Sequence, residues 1–350
     1  MICDIINVFA CFKLREYVIR KKAGIIIDVF AICLISKETD FGIMKENKIL
    51  LATLAALGAQ VIFGFSFMFT KIALGYASPL TVIADRYIVA FLGLTVVMIA
   101  TKVKIILHKN IWKLALMSVF QPVLYFIFET YGIQMTTSAF SSIMISMIPV
   151  VSMIGGIFIL NEVPSPVQYV FSALSVAGVV IMSLAGKAEG TVTVLGIVLL
   201  FGAVISSVGY NTLSRKISAE FTVLERTYAM TLIGLVSFLG VAIIENVNNP
   251  IAVIKSFASF EYTSAILYLG IVSSVIAFLL LNFANTYLPV AKTTAFSNIT
   301  TVVSVIAGAI FLGEKITPVT VASGVMIIAG VMGVQMFGVQ KVKNKEEIGC

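Results

Sequence analysis

The chain is poor in charge. Of its 350 residues only 12% are Asp, Glu, Lys or Arg, while 59% are hydrophobic. A soluble domain carries about 25% charged residues, so a water-facing globule is excluded. Histidine is nearly absent: the one residue, His108, lies in a basic stretch, which excludes a catalytic or metal cluster built on several histidines. The four cysteines do not form a framework. Cys3, Cys11 and Cys33 precede the first long apolar segment and Cys350 is the last residue, so neither a disulfide nor a metal site is implied. No phosphate-cradling Gly-x-x-x-x-Gly-Lys-Ser/Thr stretch and no nucleophile elbow occurs, which argues against ATP hydrolysis or acyl transfer by the chain itself. No cofactor is expected.

The hydrophobic stretches are long and continuous. A membrane β-barrel needs dyad alternation in short segments, so the pattern is that of a polytopic α-helical membrane protein. Spans are expected near 50–71, 80–101, 113–135, 138–160, 167–186, 192–213, 226–244, 262–286, 291–313 and 317–339, each long enough to cross a bilayer. The net charge of +7 comes mostly from loops and tails, where the positive-inside rule places Lys and Arg. Nucleic acid is not an expected partner; lipid and a small molecule are. With the N-terminus inside, Lys45, Lys48, Lys102, Lys104, Lys109, Lys113, Arg215, Lys216, Lys341, Lys343 and Lys345 fall on the cytoplasmic side, and the other side receives Lys71, Lys187, Lys255 and Lys315. Both termini are therefore expected to be cytoplasmic, in a bacterial inner membrane.

The chain also repeats itself. A constant offset of 152 places Glu162 on Glu314, Ser152 on Ser304, Gly156 on Gly308, Pro166 on Pro318 and Gly178 on Gly330. Ten spans divided into two repeats give five helices each, and an odd-numbered repeat must insert in opposite senses. The expected fold is an all-α integral membrane protein of ten transmembrane helices in two inverted five-helix repeats, over 50–186 and 192–339. Residues 1–43 mix charges with an apolar run too short for a span. Met44-Lys45-Glu46-Asn47-Lys48 reads as a natural start, so 1–43 are expected to be an over-extended gene start or a poorly structured cytoplasmic extension, and 340–350 a cytoplasmic tail.

Ser152-x-x-x-Gly156 and Ser304-x-x-x-Gly308 place small residues on one helix face, which lets another backbone approach closely; the expected role is helix packing. Asp85-Arg86 is matched by Glu225-Arg226. Such residues commonly anchor helix ends, but Arg86 follows Pro79-Leu80-Thr81-Val82-Ile83-Ala84 and reads as deeper. An intramembrane ionisable residue needs a partner, and Glu129 lies at a similar depth in the third span. An outer Arg86–Glu129 charge pair is expected, with a proton-carrying role for Glu129 as the lesser alternative. The second-half counterpart of Glu129 is Leu281, so the halves differ there. Gln121, Asn211, Asn282 and Asn298 are membrane-depth amides, read either as interhelical glue or as substrate contacts; Tyr125 is either packing or cavity lining. Arg86, Gln121, Tyr125, Glu129, Asn211, Asn282 and Asn298 are the candidate substrate path.

The ordered set of Gly64-Phe65-Ser66-Phe67 with Lys71, Pro79-Leu80 through Arg86-Tyr87, Ser138-Ala139 to Pro149, Leu160-Asn161-Glu162 and Gly178-Val179, answered by Asn282-Phe283-Ala284, Ala291-Lys292, Leu312-Gly313-Glu314 and Gly330-Val331, resembles the drug/metabolite transporter superfamily, in its EamA-type ten-helix branch. The resemblance covers about 50–339. It implies export or uptake of small metabolites, often amino acids or related amphipathic compounds; the expected function is a secondary transporter, of the exporter kind, working by alternating access, and not an enzyme. The ninth helix departs from the family, which often has Glu-Pro where this chain has Thr300-Thr301. The competing readings are a membrane-embedded subunit without transport and an enzyme acting on lipid-linked substrates. Substrate, direction, coupling ion and oligomeric state are not readable.

Overall fold

In the computed structural model the described residues are 45–101, 110–152, 165–188, 192–245, 247 and 256–337. The expected extension 1–43, Gly156, Glu162 and the tail 340–350 lie outside the described residues. Among those described, every regular element is helical. The helices are α1 Lys45–Ala73, α2 Pro79–Thr101, α3 Ile111–Gln134, α4 Ser138–Ser152, α5 Pro166–Ala188, α6 Val194–Ile217, α7 Val223–Glu245, α8 Phe260–Tyr287, α9 Val290–Ala295 continuing as Ser297–Phe311, and α10 Pro318–Met336. Seven of these are long and apolar enough to cross a membrane, and the described parts of α4, α5 and α10 are shorter apolar helices. In hydrocarbon each backbone N–H and C=O must be satisfied within the segment, which is why long apolar runs become helices and only their ends need other partners.

The ends are capped by local chemistry. Thr137, Thr193, Ser259 and Thr317 each accept a hydrogen bond from a backbone N–H three residues on. Ser165 and Gln168 bond each other's backbone N–H groups ahead of α5, a capping box with Pro166 in the first turn. Thr317-Pro318 repeats that start one offset later. Thr222 and Glu225 form a second box, so α7 begins at Val223 and takes Glu225-Arg226 into its first turn.

Helix pairing shows the duplication. Exchanging the two repeats maps α1 onto α6, α2 onto α7, and so on. The pairs α2–α7, α4–α9 and α5–α10 map onto themselves, and each is in contact. The remaining contacts exchange: α1 packs on α8 and α9 as α6 packs on α3 and α4, and α2 packs on α8 as α7 packs on α3. Five helices per repeat then set α1 and α6 in opposite directions, so the two repeats are inverted.

The exchange holds at single residues. A Cβ on Gly178 would stand 2.8 Å from Ile327 Cγ1 and 2.9 Å from Ser323 O, while one on Gly330 would stand 2.6 Å from Phe171 O and 2.7 Å from Ser175 N. Phe171 and Ser175 are the repeat partners of Ser323 and Ile327. At both positions the facing backbone of the other helix occupies the space a side chain would need, so glycine is required by close approach. The outer faces of α5 and α10 expose Val170, Val176, Val180, Val321 and Val325, as lipid-facing surface should.

Candidate functional site

Both third helices lose α-regularity at the same place. Val119–Leu124 of α3 is π-helical, and Gln121 within it is extended at φ −147°, ψ 115°. Its neighbour Pro122 explains this: proline supplies no N–H and pushes the residue before it out of the α region. In α8 the π-helical part is Tyr268–Ala277. Shifted by the offset of 152, Val119–Leu124 lands on Ile271–Ile276. Irregular backbone at membrane depth is tolerated where protein buries it or where it lines a cavity, and a π-bulge re-aims the side chains around it.

A cavity lies beside these bulges. It is bounded by Gln60, Ser66 and Phe67 of α1, Arg86 of α2, Gln121, Tyr125 and Glu129 of α3, Ile145 and Ile148 of α4, Ser207 and Asn211 of α6, Leu281 of α8, and Thr293, Thr294, Ser297 and Thr300 of α9, and its unfilled space, with the open space at its mouth included, is about 580 Å³. Five of the seven candidate path residues therefore share one space. Arg86 donates from Nε to Ser274 Oγ at 2.6 Å and from Nη2 to Ser273 Oγ at 2.9 Å, and its guanidinium lies 4.0 Å from the centre of the Phe126 ring. Glu129 accepts through Oε1 from Tyr125 Oη at 3.0 Å. Its other oxygen, Oε2, is buried with no hydrogen-bond partner among the described residues. Asn211 donates to Ser207 O at 2.9 Å and accepts from Asn285 Nδ2 at 3.0 Å.

The expected Arg86–Glu129 pair needs correction. Both groups face the cavity, but no Arg86 nitrogen is within ion-pair distance of Glu129; the ion pair found among the described residues is Lys113–Glu220 at 2.5 Å. The widened turn of α8 brings two serine hydroxyls to the guanidinium and Phe126 covers its face, so Arg86 is held by neutral groups. Asn282 and Asn298 do not line the cavity. Asn282 is an interior node. It accepts from Tyr210 Oη at 2.9 Å and Ser214 Oγ at 2.8 Å, and donates to Thr227 Oγ1 at 3.0 Å, joining α6, α7 and α8. Asn298 is buried and its Oδ1 has no partner among the described residues.

Sequence reading missed Ser273 and Ser274, and the hydroxyls of Thr293, Thr294, Ser297 and Thr300. One signal was available. Ser297 and Thr300 are the repeat partners of Ile145 and Ile148, and all four border the cavity; so do Glu129 and its partner Leu281. At these three pairs the repeats exchange polar for apolar.

Charged side chains fasten both ends of the bundle. Lys71, in the last turn of α1, donates to Ile133 O at 2.8 Å, at the end of α3, and to Thr136 O at 2.5 Å, just past it. The Glu314 carboxylate, just past α9, accepts the first N–H groups of α4, from Ser138 at 2.7 Å and Ala139 at 3.0 Å. A cation on helix-end carbonyls and a carboxylate at a helix N-terminus both match the helix dipoles. At the opposite end Arg215 donates to Asn285 O at 3.1 Å and also to Thr286 O. Asn285 is the repeat partner of Ile133. Arg226 is fully buried and bonds Ser214 Oγ at 2.8 Å, Asn282 O at 3.0 Å and Thr286 Oγ1 at 2.5 Å. The Ser304–Gly308 face meets α4: Ser304 Oγ donates to Ser138 O at 3.3 Å, and a Cβ on Gly308 would stand 2.8 Å from Ser138 Oγ. Ser152 Oγ is buried without a partner among the described residues.

Comparison with known proteins agrees with this architecture. The model of the EamA-like transporter family matches twice, over residues 50–184 and 194–336. The uncharacterized transporter YcxC of Bacillus subtilis (strain 168) is 32% identical over 286 residues, covering 81% of this chain and 92% of that protein. A probable terminal-alkyne amino-acid exporter of Streptantibioticus cattleyicolor is 30% identical over 195 residues, covering 55% of this chain and 62% of that protein. A solved crystal structure superimposes with a TM-score of 0.60 at 16% identity, covering 82% of this chain and 99% of the other, a likeness of fold alone. Two family matches fall on the two inverted five-helix repeats that enclose the cavity, and the chain belongs to the EamA-like transporter family, as a multi-pass membrane protein.

Proposed function

We propose that the protein is a secondary carrier that exports small metabolites, amino acids or related amphipathic compounds, across a bacterial cell membrane by alternating access. The observation that carries this reading is the cavity: helices of both repeats border it, and it combines polar groups with apolar walls, as small-molecule sites do. Rocking of one repeat against the other would open it to each side in turn. The Lys/Arg asymmetry supports cytoplasmic termini, which puts the Lys71 and Glu314 fastenings outside and those of Arg215 and Arg226 inside. Each set must release while the other holds. Arg86, Gln121, Tyr125, Glu129 and Asn211 form the substrate path in this reading, with Asn282 and Asn298 supporting it from behind. The amino-acid exporter among the relatives supports the substrate class.

The test is flux. Cells overproducing the chain should enrich particular metabolites in the medium, and proteoliposomes loaded with those compounds should show saturable efflux and counterflow. Efflux no faster than from protein-free vesicles, for every compound that profiling selects, would end the carrier reading.

A further inference from the structure

We propose that Glu129 Oε2 is the seat of an ammonium group, so that the cargo is an amine with an apolar body. This rests on the carrier reading and assigns a chemistry to its cavity.

Four observations converge. Glu129 is 3% exposed and borders the cavity, and its Oε2 is buried with no hydrogen-bond partner among the described residues. A carboxylate has acceptor sites on both oxygens and no donor, and a buried oxygen left without a donor is costly. The carboxylate is not free to turn toward a better arrangement, because Tyr125 Oη holds Oε1 at 3.0 Å. The nearby protein cation makes no hydrogen bond to Oε2: Arg86 is bound to Ser273 and Ser274 and stacked on Phe126. The surroundings suit a cation with a hydrophobic tail. Phe63 and Tyr125 present aromatic rings, which favour ammonium groups, and Phe67, Ile145, Ile148 and Leu281 make the apolar wall. An ammonium carries three donors. One meets Oε2, and Gln60, Gln121 and the α9 hydroxyls border the same space as acceptors.

The probes are leucine, isoamylamine (the same body with an ammonium and no carboxylate) and 4-methylpentanoate (the same body with a carboxylate and no ammonium). Binding is read as thermal stabilisation of the purified full chain in nanodiscs, for the native protein and for Glu129→Gln, which keeps an acceptor for Tyr125. Leucine and isoamylamine should bind the native protein at least about tenfold more tightly than 4-methylpentanoate, the size of one hydrogen bond to a charged group. Glu129→Gln should remove that preference and leave 4-methylpentanoate unchanged. The assignment is overturned if 4-methylpentanoate binds the native protein as well as isoamylamine does, if folded Glu129→Gln keeps the amine preference, or if none of the three binds. In each of those outcomes the carrier reading stands or falls separately, on efflux. If Glu129→Gln does not fold, the comparison of the three probes on the native protein decides.

Discussion

Adding one methyl group to a helix glycine should have opposite signs at three glycines of this chain. In an open helical position Gly→Ala is stabilising by about 0.8–1.0 kcal/mol, because alanine loses less backbone freedom. Gly240 of α7 is such a position, since a Cβ there has nothing within 4 Å. At Gly330 the same methyl would lie 2.6 Å from Phe171 O, 2.7 Å from Ser175 N and 2.8 Å from Ser175 Cβ. Two of these are backbone atoms of α5 and cannot rotate away. To reach the 3.4 Å edge of ordinary contact, α5 and α10 must part by roughly 0.8 Å along that line, which loosens the dispersion contacts of the whole crossing. Overpacking of this kind costs about 1–3 kcal/mol. Gly330→Ala should therefore be destabilising by a net ~0–2 kcal/mol, and Gly330→Val by more. Gly178→Ala should follow Gly330→Ala, since it faces Ser323 O at 2.9 Å. The assay is apparent melting temperature in detergent, read as the folded fraction on size exclusion after heating. Gly240→Ala should raise it, and the other two should lower it or leave it level. If Gly330→Ala and Gly178→Ala rise as far as Gly240→Ala, the close α5–α10 backbone approach is wrong, and with it the residue-level symmetry of the fold.

Three further outcomes follow from the charged groups. Glu314→Gln removes the charge that caps α4, a change worth about 1–2 kcal/mol, which shifts a two-state equilibrium about 5- to 30-fold; a cysteine at Ser297, in a background with the native cysteines replaced, should then react faster with a membrane-impermeant maleimide from the face that bears Glu314, and unchanged labelling from both faces would refute a gating role. Arg226→Met removes the buried donor to Ser214, Asn282 and Thr286 and should cost about 1–3 kcal/mol, seen as lost folded yield. Arg86→Met strands two serine hydroxyls that can turn to carbonyls of their own helix; it should keep most of the folded protein and lose efflux instead, and equal loss of yield for both variants would contradict the distinction.

Much of the scaffold was legible in the sequence because its signals are local and repeated. Apolar runs of about twenty residues and the offset that pairs Gly178 with Gly330 need no three-dimensional information. The cavity residues were harder. Asn211 and Asn282 look alike in sequence, two amides at membrane depth. Only packing separates them: Asn282 is saturated by Tyr210, Ser214 and Thr227, while Asn211 reaches the lining. The pairing of Arg86 with Glu129 was inferred from depth alone, and depth does not reveal that the π-helical turn of α8 carries Ser273 and Ser274 to the guanidinium. A departure from α-geometry changes which side chains meet, and hydrophobic residues such as those around Tyr268–Ala277 give no warning of it. Gln121-Pro122 did give a warning in α3, since proline cannot sit quietly in a helix interior.

The two repeats also differ in what they can afford to keep alike. Contacts that hold helices together need the same backbone geometry in both halves. They keep like residues: Gly178 with Gly330, and Phe126 with Phe278, which meet each other across the interface with ring centres 6.3 Å apart. A cargo breaks the symmetry, because one small asymmetric molecule cannot present the same groups to two inverted surfaces. Part of the lining does diverge in this way: Leu281 answers Glu129, Ser297 answers Ile145 and Thr300 answers Ile148 in repeat equivalence. The arginines show both behaviours at once. Arg226 is fully buried and ties α7 to α6 and α8, whereas its counterpart Arg86 borders the cavity and is held by two hydroxyls and one ring. The same residue type serves as framework in one half and borders the cavity in the other; in the carrier proposed above, the side where Arg86, Tyr125 and Glu129 stand is therefore where a cargo would be selected.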